Sequence, residues 1–182
     1  IRVFKDAIRR NDVKAAVYFM EHHKRDDIRL RVMLAEKQLE NGDKQAALVS
    51  YGKAFSVLDK IIVDDNISRW DVSDTLILFN SLTQHKLKEE SHKVLEAIYS
   101  IVKKIPDRRR DDRIFARVIV SEALWKNNQK GKAIELFKEA YEFTHFYNRK
   151  NSKKGGHLSS IGNLAATFGT DLPTLKRTPK SN

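Results

Sequence analysis

Proline is nearly missing from this chain, and that constrains its fold more than any other feature. Of the three prolines, Pro173 and Pro179 fall in the last ten residues, leaving Pro106 alone in the body of the sequence, and only seven glycines accompany them. All-β folds need turn residues about every ten positions, so such a chain is expected to run in long helices. With 182 residues and 41% apolar content it can bury a continuous core.

The apolar residues recur at helical steps. From Ile28 to Leu39 they occupy more than one face, as in a helix covered on several sides. Asn41-Gly42-Asp43 then offers a glycine for the left-handed end of one helix and an aspartate to cap the next. A second helix is predicted from Lys44 to Val63, on Ala47, Leu48, Tyr51, Ala54, Phe55, Leu58 and Ile62. So short a link makes the two helices antiparallel. The design returns between Arg113 and Tyr147, on either side of Asn127-Asn128-Gln129. A third hairpin is predicted from Val72 to Leu82 and Glu89 to Lys104, turning at His85-Lys86-Leu87, and a shorter first one from Val3 to Ile8 and Val13 to His22.

These hairpins share a register. Ala35 lies twelve residues before Ala47, with Tyr51 and Ala54 following; Ser121 precedes Ala133 by the same interval, with Phe137 and Ala140 following. Phe79, Ser91, Leu95 and Ile98 keep the spacing in the third hairpin, as do Phe4, Ala16, Met20 and His23 in the first. Small residues are required where two helices touch closely and large ones where a helix packs between neighbours.

This small-large-small spacing around a Gly-Asp turn, clearest in GDKQAALVSYGKAF, resembles the tetratricopeptide repeat (TPR) family. The resemblance covers roughly residues 1–147. Ala16, Ala47, Ser91 and Ala133 lie 31, 44 and 42 residues apart, against about 34 in a standard repeat, and the wider spacings look like the longer-helix relatives of regulatory and sensor proteins. The resemblance implies an all-α, right-handed superhelical stack of about four TPR-like hairpins that binds a peptide or helix in a concave groove, as a scaffold or regulatory module with a protein partner and no enzymatic role.

In that family the groove is lined by the first helix of each hairpin. Carried over, the lining is Val32, Glu36, Leu39 and Glu40, then Leu76, Asn80, Thr83 and Gln84, then Val118, Glu122, Trp125 and Lys126, with Lys5, Ile8 and Arg9 from the first hairpin. Leu39, Leu76, Val118 and Trp125 form an apolar strip suited to an amphipathic helix or apolar peptide, with Trp125 either its anchor or part of the core. The Lys/Asn/Arg set by which some TPR domains clamp a C-terminal carboxylate is missing.

The remaining sequence divides into a basic linker at 148–157, a short amphipathic helix at 158–169 on Leu158, Ile161, Leu164, Ala165 and Phe168, and a frayed basic tail at 170–182. The helix either caps the stack or folds into the groove. The net charge of +11 is concentrated here: seven basic residues and Asp171 give residues 148–182 a balance of +6, while the first 147 residues carry 28 basic and 23 acidic side chains. Arg149, Lys150, Lys153 and Lys154, with Arg108, Arg109, Arg110 and Arg113 of the loop after Pro106, are the candidate phosphate contacts of an alternative, nucleic-acid-binding reading. The bland alternative for that loop is a solvated connection neutralised by Asp107, Asp111 and Asp112.

Nothing else in the sequence carries chemistry. The absence of cysteine excludes disulfides, thiolate zinc sites and a cysteine nucleophile. The six histidines show no ligand spacing, Ser50 and Ser100 begin S-x-x-K patterns by chance inside predicted helices, and Gly155-Gly156 lacks the context of a phosphate-binding loop. No metal or cofactor is expected. No apolar run approaches the ~18 residues of a membrane span, so a cytoplasmic location is expected, and a start at Ile1 is compatible with a piece of a longer protein.

Overall fold

The computed structural model describes residues 1–22 and 27–148, with side-chain surroundings as far as residue 144. Among these residues the fold is all-helical: Arg2–Arg9 (α1), Val13–His22 (α2), Ile28–Glu40 (α3), Lys44–Val63 (α4), Arg69–Gln84 (α5), Lys88–Lys103 (α6), Arg110–Lys126 (α7) and Lys130–Asn148 (α8). The predicted linker at 148–157, the helix at 158–169 and the tail at 170–182 lie outside the described residues apart from Asn148, which ends α8. No helix among the described residues is long and apolar enough to cross a membrane.

Local chemistry explains the helix starts. Asp12, Asp27 and Asp43 accept from the backbone N–H groups of Ala15, Leu30 and Ala46 at 3.0, 3.3 and 3.0 Å, satisfying donors that the first turn leaves open. Ser68 and Asp71 form a reciprocal capping box at α5. At α7 the first turn carries Asp111 and Asp112, which favour the positive helix end.

Four tight turns among the described residues share one geometry. Asn11, Gly42, Lys86 and Asn128 stand at φ 60, 80, 61 and 61°, in the left-handed region. The next residue in each turn returns its N–H to the carbonyl five positions back, from Asp12 to Ala7, Asp43 to Gln38, Leu87 to Leu82 and Gln129 to Leu124, each at 2.9 Å. This paired closure satisfies the last carbonyls of the first helix. A small residue follows five positions after each left-handed residue, at Ala16, Ala47, Ser91 and Ala133, so the backbone repeats in the register of the sequence.

The chain divides into two units, the first ending at Ile105 and the second beginning at Pro106. In the first, each helix packs on its hairpin partner, α3 also packs on α5, and α4 on α6. The first hairpin closes on α3 through Phe4, Ala7, Ala16, Phe19, Met20, Leu30 and Leu34. Ala35, Ala47 and Ala54 are fully buried, as close helix contact requires.

In the described part of the second unit α7 and α8 form one hairpin around Ile114, Val118, Phe137 and Ala140. It holds a buried charge. The Arg117 side chain, 3% exposed, donates from Nε to Glu139 at 2.6 Å. Arg113 pairs with Asp107, and its guanidinium lies 4.0 Å from the centre of the Phe143 ring, with that of Arg117 at 5.2 Å. Burial pushes the Arg117 guanidinium below its ordinary range, the hydrogen bond and charge of Glu139 opposing it.

Candidate functional site

A concave feature of the first unit flanks the start of α4. Helix periodicity turns Ala47 into the core and leaves the neighbouring positions outward, so Leu48 and Val49 are 48% and 52% exposed despite their apolar side chains. Each enters a different cavity. Leu48 lines one of about 490 Å³ together with Leu39, Glu40, Lys44, Ala47, Tyr51, His85 and Leu87. Val49 lines one of about 280 Å³ on the other side, with residues of α2 and α3 that include Val17, Leu34 and Gln38.

The larger cavity lies within the size range of ligand sites. Its walls come from the end of α3, the first turns of α4 and the α5–α6 turn, so it exists only because the second and third hairpins are stacked. Tyr51 forms its rear. Its hydroxyl meets Ser81 Oγ at 2.8 Å, and Ser81 donates to Glu36 Oε1 at 2.7 Å, which links α3, α4 and α5. Burial pushes the Tyr51 phenol above its usual range, against the Ser81 hydrogen bond and with the Glu36 charge assisting. Beside it, Ser50 donates to Gln38 at 2.7 Å inside the hairpin.

The predicted groove residues take different places. Leu39 and Glu40 line the larger cavity. Glu36 sits just behind it, engaged with Ser81. Val32, Leu76 and Val118 are buried, Val32 to 1% exposure, and contribute to the core instead of a surface strip. Asn80, Thr83 and Gln84 are exposed, Thr83 turning its hydroxyl back to the Phe79 carbonyl. Lys5 is exposed, Ile8 packs on the first core cluster, and Arg9 pairs with Asp6 at 3.2 Å. In the second unit Glu122 and Lys126 form an ion pair at 2.7 Å. Trp125 packs against the Ile114–Phe137 cluster with Lys130 Nζ 5.3 Å from its ring centre, so much of the indole serves the hairpin's own core.

Helical spacing in the sequence places Tyr51 and Leu48 in the apolar stripe of α4 and His85 and Leu87 in a turn. The signal available was the Ala47-Leu48-Val49 run, three adjacent apolar positions that no single helix face can bury together.

Arg108, Arg109 and Arg110 do come together, with Asp111 and Asp112, around an open depression of about 300 Å³. Arg109 lies 3.7 Å from Asp112, and Arg113 is committed to Asp107 and Phe143. Arg149, Lys150, Lys153 and Lys154 lie outside the described residues. Among those described, no group of three His, Asp or Glu side chains is placed to hold a metal ion.

Compared with known proteins, the chain matches no family model, no curated sequence and no solved structure.

Proposed function

We propose that this chain is a TPR-like interaction module that takes up a peptide or helix from a partner protein, working as a scaffold or regulatory element in the cytoplasm without catalysing a reaction. The observation that carries this reading is the cavity of about 490 Å³ between the second and third hairpins, apolar on its floor and bordered by the exposed Leu48. An apolar side chain that stays half in water beside a formed cavity has area to bury on a partner. The hairpin register supports the family likeness.

The test compares extract proteins retained by the full chain and by its Leu48→Asp variant, with and without nuclease. A partner held by the parent chain, lost with the variant and indifferent to nuclease fits the module. A partner retained by Leu48→Asp would refute the cavity as its seat.

The Arg108–Arg110 depression favours a second reading, binding of nucleic acid through its phosphates together with the basic 149–154 segment. It requires a salt dependence with a log-log slope of about −4 to −6, as for five to seven neutralised phosphates. No mobility shift with DNA or RNA at low salt would remove it.

A further inference from the structure

The rim of the larger cavity says which peptides it suits. Its floor is Leu39, Ala47, Tyr51 and Leu87, the half-exposed Leu48 borders it, and its edge carries Glu40, Lys44 and His85. These edge charges are not equivalent. Glu40 is already paired with Lys37 at 2.7 Å. The nearby Asp43 carboxylate accepts from the Ala46 N–H at 3.0 Å and so is spent on the α4 cap.

By contrast, the side chains of Lys44 and His85 have no hydrogen bond or ion pair among the described residues. They come from different elements, Lys44 opening α4 and His85 capping the end of α5. Two lysines, Lys86 and Lys88, flank Leu87 in the same turn and are exposed. Glu89 and Glu90 follow in the first turn of α6, and neither lines the cavity. An apolar floor under a rim whose carboxylates are already engaged, while Lys44 and His85 are uncommitted, complements a side chain that is apolar with a negative charge beside it.

We infer that the cavity receives a bulky apolar side chain from an acidic peptide segment, whose neighbouring carboxylate is held between Lys44 and His85. This rests on the reading of the chain as a peptide-binding module and adds the chemistry of the partner. Lys44 and His85 act in it as selectors: a segment with a basic residue at that place meets the like charge of Lys44 and is rejected.

The test is a phage-displayed random peptide library selected on the full chain, followed by fluorescence anisotropy of the enriched peptides. Enriched sequences are expected to place Asp or Glu within one helical turn of Leu, Ile, Phe or Trp. Their affinity should fall about tenfold in a Lys44→Glu/His85→Glu variant, and at least as far in Leu48→Asp, with far-ultraviolet circular dichroism unchanged because all three positions are at least partly exposed. Enriched peptides that need Leu48 yet ignore the charge reversal, or that carry basic residues instead, overturn the acidic specificity and leave the peptide-binding module standing. Peptides enriched equally on Leu48→Asp, or no enrichment at all, overturn both.

Discussion

Replacing two glycines of the second hairpin by alanine should move stability in opposite directions. Gly42 stands at φ +80° in the turn before α4, and Gly52 lies within α4; a methyl group added at either meets nothing within 4 Å. Sterics with neighbours therefore drop out, and backbone conformation alone decides the sign. At Gly42 an L-residue must enter the left-handed region at about 1–2 kcal/mol, of which the lower entropy of the unfolded alanine chain returns about half. Gly42→Ala should thus cost about 1 kcal/mol. Gly52→Ala should stabilise by about 0.8–1 kcal/mol, the helix-propensity difference at an exposed interior position. Lys86, a lysine at φ 61° in the equivalent turn, supplies the reverse of the first substitution, so Lys86→Gly should also stabilise, by about 0.5–1 kcal/mol. For a unit of this size each kcal/mol moves the melting temperature by about 4–8 °C, so Gly42→Ala and Gly52→Ala should differ by about 10 °C in thermal melts followed by circular dichroism. Urea unfolding with unchanged m-values should rank the variants alike. The reasoning is refuted if Gly52→Ala lowers the midpoint, which would mean that this face of α4 is covered, or if Gly42→Ala leaves it unmoved.

The ion pair of α7 and α8 makes a second prediction: Glu139→Ala, which takes the carboxylate partner from the 3%-exposed Arg117 guanidinium, should destabilise the hairpin by about 3 kcal/mol, whereas Arg117→Met with Glu139→Leu should be close to neutral in the same urea unfolding experiment. In an alkaline ultraviolet titration Tyr51 should ionise above the usual phenol range, and Tyr51→Phe should remove that late component. Since the folded state holds the Tyr51 proton more tightly than the unfolded chain, its contribution is fully present below about pH 10 and is lost as pH rises through the folded value. Asp74 is likewise held above the usual carboxylate range, by burial, against its 2.6 Å bond to Arg29. Its proton is kept better by the folded state, so its contribution is present at acid pH and fades as pH rises; carboxylate NMR titration should show Arg29→Ala raising the midpoint further.

Much of the scaffold was legible in the sequence because helices are local objects. Apolar residues at three- and four-residue steps marked the eight helices found among the described residues, and Asp12, Asp43 and the Asn or Gly beside them marked turns through capping and left-handed preference. Lys86 carries no such preference, and its left-handed conformation became evident only from the backbone, imposed by the helices it joins. The small residues Ala35, Ala47, Ala54, Ser121, Ala133 and Ala140 were rightly placed in the interior, since nothing larger fits between close helices.

Tertiary structure alone decided the site. Periodicity assigns a residue to a face of its own helix, and which neighbour covers that face depends on the packing of helices distant in sequence. Val32 and Leu76, placed on a groove by the family likeness, are sealed by that packing, while Leu48, which has the same apolar character, stays open. Tyr51 meets Ser81 across 30 residues and Ser81 meets Glu36 across 45, contacts that no local pattern encodes. The cavity they back is formed by three segments that converge only when the second and third hairpins stack. By itself, the sequence determined a chain of capped helical hairpins in one repeating register; the fold decided which apolar residues remain available to another molecule, because exposure belongs to the packed assembly and not to any one helix.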